Sequence, residues 1–486
     1  MKKTLIIAAA LLIQTVAFAQ GVDDAFLFSQ TYYQGTAKAL GMGNAMGAVG
    51  GDMTAVCINP ASMGIYRSSE FTLSCNLLDN HSNSTYYGNN KDGNVFRFSI
   101  PNIGYVHAKE RSNYKSLRYT QFGVGLTRTN DFNLHTNAMG INPGSSMIDN
   151  YLARMDGYRE EELQDAFPYD IYQAWRTGLI YLDEDEFGAF YNSPVPQGNI
   201  WQGQECDFRG RSEAWTFAGS ANFLDKLFLG ISVDLTHTKR YGTKVFKESS
   251  VEGSNTVFNQ WSFTEDLSST GWGGNVKVGF IYHATPWFRF GAAFHSPTLY
   301  AFSEKWSTTT EAEIDWVTER SLSPEANYEY TFISPLKCLG SLAFVVGEQG
   351  MITLDAEYTN YGMAQFKANV NDDFDYGPTN ESIRENFGHT ANFRLGTEWY
   401  VGGSYLRFGT AYYGSPFGLG QTGGSVKKVS CGLSVPLSSS FTFDFAYELS
   451  HGKTYTTLYD AGELGIESVT HNHNRHILLT TLKMRF

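Results

Sequence analysis

The residues with chemistry to offer fall into three sets. Asp234, Arg289, His295, Asp355, Glu357, Arg394, Glu398, Arg407, Asp444 and Glu448 sit out of step with runs of aliphatic and aromatic residues. His471, His473 and His476 spell HxHxxH, and Gly41, Gly43, Gly47, Gly50 and Gly51 lie shortly before Asn59-Pro60-Ala61. Asp355 and Glu357, at i and i+2, share one face of a strand, as an acid/base pair would. No nucleophile accompanies them, so no enzymatic role is expected. Charges of both signs on one face can instead pair with one another, hold an internal segment and line a polar passage. The same alternation puts His471 and His473 on one face and His476 on the other, which does not gather three ligands. The cysteines (Cys57, Cys75, Cys206, Cys338, Cys431) are odd in number and scattered, with neither zinc spacing nor a disulfide framework. No metal and no cofactor is expected. Gly41-Met42-Gly43 with Gly47 is a GxGxxxG without the strand before it or the βαβ unit after it that a nucleotide loop requires.

The elements that must position these residues are strands. Leu227, Leu229, Ile231, Val233 and Leu235 alternate with Phe228, Gly230, Ser232, Asp234 and Thr236. Phe441, Phe443, Phe445, Tyr447 and Leu449 alternate with Thr442, Asp444, Ala446, Glu448 and Ser450, and Ile352, Leu354, Ala356 and Tyr358 with Thr353, Asp355 and Glu357. A period of two makes each apolar set one face. About fourteen such segments run from residue 69 to the end, and the connections between them alternate in length. Short ones lie at 224–226, 285–286, 347–350 and 401–403. Long ones are expected over 80–94, 131–212, 242–269, 304–330, 362–388, 415–424 and 453–472. The longest, 131–212, mixes apolar and charged residues at helical spacing over 145–167 and 169–182, which predicts short helices. Short turns at one end and long loops at the other are the pattern of an outer-membrane barrel. The last strand alternates through Leu478, Thr480, Leu482 and Met484 to a terminal Phe486, which reads as a barrel-insertion signal.

Composition agrees. Met1-Lys2-Lys3, an apolar stretch from Thr4 to Val16 and Ala17-Phe18-Ala19 form a secretory leader over residues 1–19. No later segment is apolar enough to cross a bilayer as a helix. Aromatic residues make up 15% of the 486-residue chain, glycine is abundant and mean hydropathy is slightly negative, as befits strands that show lipid only every second residue. The formal net charge of −13 becomes more negative once Lys2 and Lys3 are lost, which argues against a nucleic-acid partner.

The glycine-studded stretch 32–66, its Asn59-Pro60-Ala61 and the Tyr66-Arg67-Ser68-Ser69-Glu70-Phe71 lead into the first strand resemble the N-terminal plug of FadL/TodX-type outer-membrane transport proteins. The likeness is greatest to the branch often labelled "hemin receptor" in Bacteroidetes-like genomes. The resemblance implies an all-β fold: a 14-stranded antiparallel transmembrane β-barrel over residues 69–486, with residues 20–68 folded into its lumen as a plug. It implies passive uptake of hydrophobic small molecules such as long-chain fatty acids across the outer membrane of a Gram-negative bacterium, gated by the plug. Gly41, Gly43, Asn59, Pro60 and Ala61 are then plug residues. Asp234, Arg289, Asp355, Glu357, Arg394, Arg407 and Asp444 are lumen charges. In that family a kink in an early strand opens the wall sideways, and the candidates here are Pro101 and Gly104 in the second strand and Gly123 and Gly125 in the third. Expected partners are a hydrophobic ligand, outer-membrane lipid, lipopolysaccharide and the barrel-assembly machinery. Two other readings stay open: a barrel serving protein secretion as shuttle or scaffold, and a haem receptor.

Overall fold

A computed structural model describes residues 21–111, 115–186, 188–252, 257–369, 374–417, 423–459 and 466–486; the leader reading falls outside them. The N-terminal part is helical and irregular: α1 (Val22–Ser29), α2 (Ala37–Gly41), α3 (Met53–Ile58) and a 3-10 turn, Pro60–Ile65. The wall follows: β1 (Glu70–Tyr86), β2 (Asn89–Glu110), β3 (Leu117–Asp131), β4 (Ile200–Phe223), β5 (Leu227–Ser250), β6 (Phe258–His283) and β7 (Phe288–His295). It continues with β8 (Lys337–Val346), β9 (Gly350–Asn360), β10 (His389–Val401), β11 (Ser404–Tyr413), β12 (Val426–Pro436), β13 (Phe441–Thr456) and β14 (Val469–Arg485). Each is antiparallel to the next, and β14 returns to β1 from Glu70↔Arg485 to Thr85↔Thr470, closing a 14-strand barrel.

Closure is a requirement rather than a preference, because hydrocarbon leaves no partner for an open backbone edge. The burial pattern shows that hydrocarbon is what this wall faces. Along β5, Leu229, Ile231, Val233 and Leu235 are 44–54% exposed while Ser232 and Asp234 are at most 2% exposed. On β9 and β13, Leu354, Tyr358, Phe445 and Tyr447 point out while Asp355, Glu357, Asp444 and Glu448 are buried. A water-soluble protein does the reverse. At the short-turn end Tyr400 meets Tyr405 (ring centroids 5.1 Å apart), Trp287 stacks on Phe344 (6.4 Å) and Phe486 stacks on Tyr105 (6.1 Å). These are one girdle of interfacial aromatics. The short turns are built for their length: Gly402 and Gly403 both take positive φ (58° and 88°), which reverses the chain between β10 and β11.

Several expected loops are sheet instead. Over 80–94, β1 and β2 run on to a turn at Tyr87-Gly88; over 242–269, β5 and β6 extend to Ser250 and from Phe258. Over 304–330 the chain forms strands Leu299–Ile314, Val317–Leu322 and Ala326–Ile333. The outward hydropathy signal fades there because polar residues such as Ser303 and Lys305 replace the apolar outer set, while Tyr300, Phe302 and Trp306 stay buried on the inner face, and the backbone ladder needs no apolar outer side chain to continue. The 131–212 insertion is shorter than expected, since β3 ends at Asp131 and β4 begins at Ile200. Between them lie a strand paired to β4 (Leu134–Asn142), helices α4 (Met147–Met155), α5 (Leu163–Ala166) and α6 (Ile171–Arg176), and a hairpin, Tyr181–Asp185 with Gly188–Asn192. Ile148, Tyr151, Met155, Leu163 and Ile171 bury themselves against Phe246, Phe258 and Trp261 of β5 and β6, forming a cap on the outer mouth. Its polar pin is Glu248, whose carboxylate accepts from Ser146 Oγ (2.7 Å), the Met147 N–H (3.0 Å), Gln202 Nε2 (2.7 Å) and Trp261 Nε1 (2.7 Å).

Candidate functional site

Residues 33–64 lie inside the barrel and are almost wholly buried. Each short helix is started by a side chain. Thr36 caps α2, Asp52 caps α3 by accepting from the Thr54 N–H (2.9 Å), and Asn59 caps the 3-10 turn by accepting from the Ala61 N–H (3.1 Å). Asn59 also donates through Nδ2 to Gly47 O (2.8 Å) and to Phe280 O of β6 (3.1 Å), so one amide caps, ties the plug to itself and ties it to the wall. Pro60, at the first position of the turn, needs no donor there.

Wall and plug touch through glycine. A Cβ on Gly41 would meet Gly432 Cα at 3.1 Å, and one on Gly43 would meet Thr410 N at 2.9 Å. From the wall side, a Cβ on Gly230 would strike Ala61 N at 2.3 Å, and one on Gly279 would strike Asn59 Oδ1 at 2.1 Å. Gly104, Gly123 and Gly125, the candidates for a side opening, have this role too. Cβ atoms there would meet Met53 Cγ (2.7 Å), Met63 Cε (2.6 Å) and Met53 Cε (2.5 Å), so plug methionines fill the space the glycines leave. Methionine, flexible and unbranched, suits an irregular seat of this kind.

The lumen charges are paired. Asp234 meets Lys277 (2.6 Å), Glu357 and Asp355 meet Arg394 (3.0 and 3.9 Å), and Arg407 meets Glu398 and Asp444 (2.5 and 3.6 Å). Lys483 bridges wall to plug, reaching Asp444 (2.9 Å) and Asp52 (3.2 Å). Asp355 accepts from the plug's Met46 and Gly47 N–H groups, both at 3.0 Å. Arg289 faces the lumen by alternation but has no carboxylate within 4 Å among the described residues. The sequence reading missed Asp52, Lys277 and Lys483. The two lysines were within reach of it, since each alternates with the outward residues on either side.

One stretch of wall is not continuous. β2 and β3 pair only from Asn102↔Thr127 to Glu110↔Tyr119; beyond Asn102, at Pro101, the ladder between them stops. The freed edge of β3 is taken by the plug: Tyr32 N–H donates to Thr129 O (2.7 Å) and Gln34 N–H to Arg128 O (3.0 Å). Across the breach Arg128 donates to Ser99 Oγ of β2 (2.6 Å) while pairing with Glu213 (3.0 Å). Pro101 has no N–H to offer a ladder, which fits its place at the split.

His471 and His473 face inward above the membrane band. Each ring is held by hydroxyls on both nitrogens: Ser84 (2.8 Å) and Thr456 (2.9 Å) on His471, Ser82 (3.1 Å) and Thr454 (2.9 Å) on His473. Burial lowers both to about 4. His476 points outward, toward the Tyr447 hydroxyl (2.7 Å).

The class defined by this architecture is a transmembrane β-barrel with an N-terminal plug in its lumen. No protein-family model and no curated protein matches the chain. Among solved structures it is similar to the Ralstonia pickettii toluene transporter TbuX, at 16% identity over 94% of this chain and 99% of that one (TM-score 0.52). It is similar to a Pseudomonas aeruginosa FadL homologue at 11% identity, over 94% and 99% (TM-score 0.60), and to the Pseudomonas putida toluene transporter TodX at 13%, over 92% and 98% (TM-score 0.53). The chain therefore has the FadL/TodX-type fold along nearly its whole length.

Proposed function

We propose that the protein is an outer-membrane channel through which hydrophobic small molecules pass, with the plug as its gate and the β2–β3 breach as its side exit. The observation that carries this reading is the breach itself. The plug fills the lumen, so a straight axial path is shut. The β2–β3 ladder parts beyond Asn102 and Thr127, where two plug hydrogen bonds take the β3 edge and the Arg128–Ser99 contact alone spans the gap to β2. An apolar solute leaving there enters the bilayer and never has to cross water on the far side. Pro101 is the wall residue of this exit; Gly104, Gly123 and Gly125 seat the plug methionines whose shift would widen it. Long-chain fatty acids and monoaromatic hydrocarbons are the substrate classes to try.

The test is uptake of labelled fatty acid and toluene into vesicles whose outer leaflet is lipopolysaccharide. Wild type is compared with a deletion of residues 32–66 and with Arg128→Met. Saturable uptake by wild type, raised by Arg128→Met and turned unsaturable by the deletion, is the expected result. Uptake no greater than in protein-free vesicles for all three proteins sinks the reading.

A further inference from the structure

Two neighbouring segments of the wall break at the same height, each at a Ser-Pro step. Ser296-Pro297-Thr298 separates β7 from Leu299–Ile314, and Ser334-Pro335-Leu336 separates Ala326–Ile333 from β8. The breaks tie to each other and to β6: Thr298 N–H donates to Ser334 Oγ (2.9 Å), Ser334 N–H to Thr298 O (3.0 Å) and Ser296 N–H to Val276 O (2.9 Å). Behind them, between wall and plug, lies a cavity of about 50 Å³. That is room for a few waters or one small polar head.

Its lining is mixed in a particular way. Lys337 brings an ammonium whose contact is Thr31 Oγ1 (2.5 Å). Asp234 is 2% exposed; its Oδ2 takes Lys277, and among the described residues its Oδ1 has no hydrogen-bond partner, nor has Asn275 Oδ1. On one side the cavity is bounded by Phe28 of α1 and by Tyr300, which also belong to a cluster of aromatic residues. Phe28 lies stacked on Phe302 at 4.6 Å and edge-on to Phe132 and Phe332, both at 6.1 Å. A phenyl group of the plug thus occupies an aromatic slot that ends in a polar chamber offering the Lys337 ammonium, held by Thr31 alone among the described residues, and acceptors unpartnered among them.

We infer that this slot and chamber together form a binding site for a hydroxylated aromatic, a phenol, with its ring in the place of Phe28 and its hydroxyl in the chamber. The inference rests on the transport reading and narrows its substrate class. A hydroxyl accepts from Lys337 and donates to an unpartnered oxygen. A carboxylate satisfies the lysine but sets its charge beside Asp234. A hydrocarbon satisfies neither group, and buried polar groups left unpaired are what make such a site discriminate.

The probes are phenol, toluene and benzoate, of similar size and differing in the head alone. Binding is measured by calorimetry on the full chain in nanodiscs, for wild type, Phe28→Ala and the milder Phe28→Leu, with folding checked by heat-modifiable gel migration. Vacating the ring position should raise phenol affinity above wild type. In the vacated variants phenol should bind about tenfold or more tighter than toluene or benzoate. Adding Lys337→Met should abolish that preference. Equal or tighter binding of toluene or benzoate, or phenol binding unchanged by both Phe28 variants, overturns the inference. The transport reading is scored separately: uptake of fatty acid or toluene without any phenol preference sinks the phenol site alone, and absence of all uptake sinks the transport reading.

Discussion

Lys483 and Asn59 hold the plug in place by different physics. Lys483 is 3% exposed between Asp444 and Asp52, so Lys483→Met takes the paired cation from the buried plug carboxylate Asp52 and leaves Asp444 with Arg407 alone. Breaking a buried pair from one side costs about 3–5 kcal/mol. The barrel ladder does not depend on this residue, and the cost falls on the docking of the plug. Single-channel recording in planar bilayers should therefore show frequent large openings in Lys483→Met and rare ones in wild type; identical traces would contradict the role. Asn59→Ala removes a cap and two tethers, a loss of about 1–2 kcal/mol. It should speed protease cleavage within 33–64 while leaving the heat-modifiable barrel band unchanged. Gly43 is less forgiving, because its φ of +61° and the Thr410 backbone at 2.9 Å oppose any side chain.

At the scale of elements, the seam where β14 meets β1 and β13 carries a pH dependence. His471 and His473 are lowered to about 4 by burial, and His473 also by the neighbouring His471, Arg475 and His451. A histidine lowered in the folded state is neutral there, while the unfolded chain takes up a proton near pH 6.5. The seam's full stability is thus present above about pH 6.5 and is lost as pH falls from there toward 4. Hydrogen exchange of 82–86 and 469–473, corrected for intrinsic rates, should show protection at pH 7.5 that declines by pH 4.5. A His471→Gln/His473→Gln double variant should flatten the difference, and a wild-type profile that is already flat would rule it out. The alternation that found the wall's strands is also what hid the length of some, β2 and β5 among them. From Asn89 to Asp92 and from Thr243 to Lys247 the chain leaves lipid, so no apolar period marks a ladder that continues all the same.

For the whole molecule, the inverted burial fixes the solvent. Ile231, 54% exposed on the outer face of β5, stands in hydrocarbon, whereas Ser232 beside it is 1% exposed toward the lumen. Ile231→Arg should destabilise the folded barrel by about 2–4 kcal/mol in denaturant titrations of vesicle-inserted protein, the cost of arginine near the bilayer midplane. No loss of stability would place that face elsewhere.

The sequence alone determined the barrel, its alternating faces, the inward charges and the plug's identity as a small-residue segment. These are local properties: period two, short turns set against long connections, and glycine where bulk is barred. It could not tell which charge meets which. Asp52 and Lys483 are 431 residues apart, and only closure of β14 on β1 brings them together. Nor could it show that Gly104, Gly123 and Gly125 are seats for Met53 and Met63, since a glycine in a strand reads the same whether it faces a gap or a neighbour. The breach beside Pro101 was half legible. Proline announces a missing donor, but that the plug's Tyr32–Gln34 takes up the edge β2 abandons depends on register between distant segments, which tertiary structure alone decides.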